Sequence, residues 1–261
     1  MWRQHTVASF LLAWVVLENA RSVTNLVTWP AFAAFILVML AVALAARSWP
    51  IIHLALLFAL TTVVGPWVPV GVLHVPAVGL ALWFAVSVLL LVPFSHGRAT
   101  LGWLRLGEVD RVSAALLIVT AVVAGVALIV WARWTDELGA AVKMMAGVSH
   151  LPTWFVGLVG IPLFALLNAF SEEVVYRGIV QEALAQTMGA RPAFVIAAQA
   201  SVFAAAHFLV GFPNGVVGYL MVFVWGCVLG YLRRRTAGLL APYVVHVAAD
   251  LVIVYYVFSL V

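Results

Sequence analysis

The stretch from Val112 to Ala132 reads VSAALLIVTAVVAGVALIVWA, 21 residues without a charge, bounded by Arg111 and Arg133. A hydrocarbon core about 30 Å thick needs roughly 20 apolar residues in a helix. The run is continuous, whereas a barrel strand would alternate over about ten residues. Working outward, eight further runs have the same character: Thr6 to Leu17, Val27 to Ala46, Ile51 to Val70, Ala77 to Val92, Pro162 to Leu184, Ala193 to Leu209, Val216 to Leu232 and Gly238 to Phe258. They predict an all-α, polytopic membrane protein of about nine (eight to nine) transmembrane helices. The first run is short enough for the apolar region of a signal peptide. Glu18, however, sits where a small residue is expected before cleavage after Ala20, so it reads as a retained helix.

Composition agrees. Of 261 residues, 66% are apolar and 8% charged, against roughly 45 to 50% and about 25% in soluble domains. A soluble globule is excluded, and so is a disordered chain, which has too little apolar surface to bury. The single Cys227 provides neither a disulfide framework nor a thiolate cluster. The basic residues are twelve Arg and Lys143, mostly in short clusters between apolar runs. That leaves no solvated basic face for nucleic acid.

Cytoplasmic loops are enriched in Lys and Arg. Taking Arg233, Arg234 and Arg235 as that side and alternating through nine spans adds Arg3, Arg47, Arg98, Arg105, Arg111 and Arg191. Arg21, Arg133 and Lys143 fall on the other side. This predicts a cytoplasmic N-terminus and an exterior C-terminus. The stretch from Arg133 to Pro152 reads either as an exterior amphipathic cap or as a plain solvated loop.

Ionisable groups within spans are costly and mark function by default. Before Trp154 the clear case is His53, near a helix end, where it is expected to snorkel or cap; His74, His96 and His150 lie in loops. After it come Glu172, Glu173, Arg177, Glu182, His207, His246 and Asp250, all within expected helices. Residues 1–152 therefore read as scaffold helices, and 153–261 as a four-helix core carrying the site.

Spacing decides which groups meet. Glu173 and Arg177 stand at i and i+4, an arrangement in which an acid N-terminal to a base pairs well. Glu172 points about 100° away, a second carboxylate without a local cation. Phe203 and His207 lie one turn apart with alanines between, and His246 and Asp250 repeat the spacing. Counted at 1.5 Å per residue, Glu172 is roughly 25 Å from Gly189, His207 roughly 24 Å from Arg191 and His246 roughly 15 Å from Thr236. Convergence within the membrane, toward the outer half, is allowed. An internal ion-pair network is the structural alternative. Glu and two His are also zinc ligand types, but there is no HExxH helix, no GxSxG elbow and no phosphate loop. The alanines before His207 offer no side-chain acceptor for its second nitrogen, which a zinc ligand normally needs.

The ordered set Glu172-Glu173-x-x-x-Arg177, Phe203-x-x-x-His207 and His246-x-x-x-Asp250 resembles the CPBP family of intramembrane proteases, also called the CAAX protease and bacteriocin-processing or ABI family. Tyr176-Arg177-Gly178 and the small-residue approach from Thr236 to Pro242 resemble its flanks. The resemblance covers about Leu163 to Leu251. It implies an intramembrane endopeptidase using glutamate-activated water: Glu172 as general base, His207 and His246 orienting water or steadying the oxyanion, Arg177 holding Glu173, and Phe203 and Asp250 in support. Asp250 stands where many relatives carry Asn. An ionised Asp cannot donate to an oxyanion, so its implied role is to orient His246. No metal or other cofactor is implied, with zinc on Glu172, His207 and His246 as the alternative. The implied partners are a lipid bilayer and a membrane-associated peptide or protein. Arg-for-Lys usage and abundant Ala and Val suggest a GC-rich prokaryotic gene and hence a plasma (inner) membrane. Other classes that use intramembrane carboxylates and imidazoles are a proton-coupled transporter relaying through Glu172, Glu182, His207 and Asp250, and a non-catalytic binding or immunity protein.

Overall fold

The computed structural model describes residues 29–68, 76–135, 150–188, 191–208 and 215–260, together with Phe10, Leu11, Ala13, Trp14, Leu17, Val148 and Pro213. Regular structure among the described residues is entirely helical. In chain order the principal helices are α1 (Trp29–Ala45), α2 (Trp49–Trp67), α3 (Pro76–Leu91), α4 (Ser95–Thr100), α5 (Arg111–Trp134), α6 (153–188), α7 (Pro192–His207), α8 (Gly215–Thr236) and α9 (Leu240–Phe258).

Among the described residues, five helices are long and apolar enough to cross a membrane: α2, α5, α6 over Thr153–Gln186, α8 and α9. The helices Trp29–Ala45, Val78–Leu91 and Pro192–His207 are apolar but shorter. The all-helical membrane class thus stands, while the count of nine is not confirmed: five helices among the described residues reach spanning length. Arg191 and Pro192 fix where α7 can begin, because proline supplies the first-turn conformation without needing a donor. Most of the first apolar run lies outside the described residues, as do residues 136–147 of the expected exterior cap. Phe10, Leu11 and Trp14 of the first run are buried: Phe10 stacks at 5.8 Å on Phe35, and Trp14 lies against Phe58 and Tyr176 at 4.5 and 6.2 Å.

The basic ends of the helices are stitched together. Asp110 caps α5 by accepting from the Ser113 amide at 2.6 Å, and this bond holds its carboxyl below the usual carboxylate range. Asp110 also meets Arg235 at 3.2 Å. Arg233 pairs with Glu182 of α6 at 3.2 Å. The loop before α5 pairs with the turn between α8 and α9: Glu108 N–H donates to the Thr236 carbonyl at 2.8 Å and Leu239 N–H to the Arg105 carbonyl at 2.9 Å. Gly107 makes this possible, since its φ is +83° and a Cβ there would collide with Thr236 and Gly238. At the other ends, Trp67, Trp134 and Trp154 are exposed, as aromatic anchors at a membrane interface are.

Helices α7 and α8 approach closely through small residues: a Cβ on Gly226 would press on Ala200, and one on Gly230 on the Gln199 amide. Gln199 donates to the Gly226 carbonyl at 2.7 Å and Gln181 to that of Gly230 at 3.3 Å.

His53 does not snorkel. It is fully buried, 3.2 Å from Ser87 Oγ and stacked on Phe84 and Trp103. The segment Ser95–Trp103 folds back over α2 and brings Trp103 onto a helix end that the linear pattern leaves open. Trp103 also covers Gly178, where a Cβ would strike its ring.

Candidate active site

Helix α6 widens from α-helical Ile161–Glu172 into π-helical Glu173–Val180, and the junction falls between the two glutamates. Such π turns are frequent at functional sites. Glu173 and Arg177 remain on one face, with Oε1 to Nη1 at 3.2 Å and both side chains essentially inaccessible. The Arg177 guanidinium lies 4.2 Å over the Phe203 ring. A guanidinium favours such a ring face because of the ring's quadrupole. Phe203 also lies edge-on to both imidazoles, at 4.5 Å from His207 and 6.3 Å from His246. One ring thereby positions the cation and both histidines.

The structure brings together the residues of the three motifs. His246 Nδ1 donates to Glu173 Oε1 at 2.7 Å, and its Nε2 faces Glu172 Oε2 at 3.4 Å. His207 Nε2 lies 3.8 Å from Glu172 Oε1. Asp250 Oδ1 is 3.8 Å from His246 Nε2. The two glutamates differ sharply in access: the Glu172 side chain is 20% exposed and that of Glu173 1%. Glu182 stays apart, paired with Arg233 at the basic end. The three depths counted along the helices differ by about 10 Å, so the helix ends are not coplanar.

Two details depart from the sequence reading. The acceptor that orients His246 through Nδ1 is Glu173, not Asp250. And His207 does have an acceptor: its Nδ1 donates to the Phe203 carbonyl at 2.9 Å. This carbonyl stands one turn back on the same helix, and its second lone pair accepts the side chain beside the helical bond. An argument against zinc from a missing outer acceptor therefore fails. Among the described residues, no group of three or more His, Cys, Asp or Glu is arranged to hold a metal ion.

Asn168 was missed. It sits one turn before Glu172, and its amide donates to Glu172 Oε1 at 3.3 Å and to Asp250 Oδ2 at 3.2 Å. Its i−4 spacing from Glu172 was visible, but a search for charged groups passes over a neutral amide.

Glu172, His207, His246, Asp250 and Asn168 form the polar end of a cavity of about 590 Å³. Otherwise its walls are mainly apolar, with Val119, Val123, Ala124 and Ala127 from α5 and Leu220, Val224, Trp225 and Val228 from α8. Val119, Val123, Leu220 and Val224 are also exposed on the outer surface. The cavity thus reaches the surface between α5 and α8. Helix α5, from the N-terminal half, supplies one wall.

Residues 152–252 match the model of the family described as Type II CAAX prenyl endopeptidase Rce1-like. The match is consistent with the CPBP/CAAX protease resemblance and implies a peptide-bond hydrolase. No curated protein and no solved structure matches the chain.

Proposed function

We propose that the helices matched over residues 152–252 form the catalytic core of an intramembrane endopeptidase that hydrolyses a peptide bond with water activated by Glu172. The observation that carries this reading is an accessible carboxylate with two imidazole Nε2 atoms at 3.4 and 3.8 Å, at the polar end of a mainly apolar cavity. Glu172 takes a proton from water as the oxygen attacks the scissile carbonyl. The Nδ1 atoms of both rings are occupied by Glu173 and the Phe203 carbonyl. Each Nε2, when protonated, therefore aims a donor at the developing oxyanion. As the C–N bond breaks, the proton on Glu172 passes to the leaving amine, restoring the carboxylate. Glu173 and Arg177 hold this arrangement without entering the cavity.

The apolar walls suit a hydrophobic segment of a membrane peptide or protein, entering from the lipid between α5 and α8. The Arg-rich, Lys-poor composition supports a prokaryotic host, hence a plasma (inner) membrane and peptide maturation, regulatory cleavage or removal of a C-terminal sorting signal. The test is incubation of the purified protein in lipid with its host's membrane-protein fraction, with new termini identified by mass spectrometry. Termini that vanish in the Glu172→Gln protein support the endopeptidase. Their absence in wild type overturns it in favour of a transporter or binding protein.

The orientation follows from the basic ends, which belong on the cytoplasmic side. A reporter fused after Val261 should behave as exterior and one inserted at Arg234 as cytoplasmic. Cytoplasmic behaviour of both would mean that α9 does not cross.

The chemistry proposed needs no metal. Zinc would take Glu172, His207 and His246 as ligands, and the acceptors behind both imidazoles fit that use equally well. Protein stripped with a membrane-permeant chelator should cleave within about twofold of the untreated rate, because the general base and the donors belong to the chain itself. Elemental analysis should find well under one equivalent of zinc. Stoichiometric zinc whose removal and return switches cleavage off and on would make the same residues a metalloprotease site.

A further inference from the structure

We propose that Asn168, which belongs to none of the three motifs, is a positioning residue that keeps Glu172 open for water. The proposal rests on the reading of Glu172 as the base.

Two carboxylates from different helices, Glu172 of α6 and Asp250 of α9, face the same His246 Nε2 at 3.4 and 3.8 Å. Ionised carboxylates only accept hydrogen bonds, so neither can hold the other. The Asn168 amide has two N–H donors on one nitrogen. It lies 3.3 Å from Glu172 Oε1 and 3.2 Å from Asp250 Oδ2, the geometry of a bridge with one hydrogen for each. The same bond restrains Glu172. Its Oε1 stands 3.8 Å from His207 Nε2, beyond hydrogen-bond distance. If Asn168 were removed, nothing else described holds Oε1 back, and the carboxylate can close onto His207. A direct ion pair there would occupy both the lone pair that accepts the proton of water and the Nε2 meant for the oxyanion. Asn168 acts through Glu172 and needs no contact with substrate. It also defines the place of Asp250, whose Oδ2 it fixes while Oδ1 faces His246.

The test compares Asn168→Leu, Asn168→Asp, Asp250→Asn and the exchange Asn168→Asp with Asp250→Asn. Two quantities are read: the initial rate of the Glu172-dependent new termini at a saturating load of host membrane fraction, and the melting temperature in lipid. Asn168→Asp places a third carboxylate against two others and should lower the rate at least about 100-fold, the lower bound for losing a positioned general base. Asn168→Leu keeps the size without the donors and should lower it about tenfold or more, with melting within a few degrees of wild type. The exchange again sets an amide against a carboxylate, and should recover at least tenfold over Asn168→Asp. A residue that merely fills space would show no such recovery.

Asn168→Leu retaining wild-type rate, or an exchange protein no faster than the two single changes combined predict, would overturn the proposal. Should Asn168→Asp not accumulate, Asn168→Leu decides by the same rate criterion. If wild type itself yields no Glu172-dependent termini, the endopeptidase reading falls. The base-positioning role falls with it, and the melting temperatures of the four proteins then decide only whether the bridge exists: coupling between positions 168 and 250 supports it, and simple additivity refutes it.

Discussion

Glu172→Gln should abolish cleavage while the protein accumulates and melts like wild type. Glutamine keeps the size of the side chain and can still accept from Asn168, so the helix contacts survive. What it loses is the ability to take a proton from water. A positioned general base contributes about 100- to 10,000-fold, so the rate of new termini should fall by at least about 100-fold. Glu172 is the accessible member of the pair, at 20% side-chain exposure, and its oxygens face both Nε2 atoms. Its removal therefore strips the reacting end of the cavity and leaves the buried pair intact. The measurement is the rate of termini in wild type and variant at equal folded amounts, with melting in lipid as the control. Wild-type turnover by Glu172→Gln would remove the base assignment and with it the mechanism.

Arg177→Ala should act in the opposite way, through folding. Arg177 is fully buried, its charge met by Glu173 at 3.2 Å and by the face of Phe203 at 4.2 Å. Taking away one partner of a buried pair strands the other charge and costs about 3 to 5 kcal/mol. Here it also leaves a void beneath Phe203, the ring that touches both imidazoles. Folded yield and melting temperature should both drop clearly, and cleavage should fall with the folded fraction. A double change, Glu173→Gln with Arg177→Met, removes both charges and fills the space, so it should recover much of the stability. It should not recover activity, because His246 loses the carboxylate that accepts from its Nδ1. Normal yield and melting for Arg177→Ala would show that the buried pair contributes little to the fold.

What the chain reveals on its own are the properties that depend on neighbours in sequence. Apolar runs such as Val112 to Ala132 mark helices because membrane thickness and helical rise act residue by residue. The Glu173–Arg177 pair, the separate direction of Glu172 and the one-turn spacings of Phe203–His207 and His246–Asp250 follow from helical periodicity alone. Those local facts sufficed to name the motif residues as candidates and to allow their convergence. Packing over long distances decided the rest. Only the approach of α9 to α6 puts Glu173 rather than Asp250 behind His246 Nδ1, a contact 73 residues apart in sequence. The acceptor of His207 Nδ1 is a backbone carbonyl one turn back on its own helix, which a reading of side chains passes over. The fold-back of Ser95–Trp103 completes the burial of His53 begun by α3, and the placement of α5 gives the cavity one of its aliphatic walls. Asn168 belongs to this second kind. A neutral amide leaves no mark on hydropathy or charge pattern, and its role appears only when Glu172 and Asp250, 78 residues apart, are brought within reach of the same nitrogen.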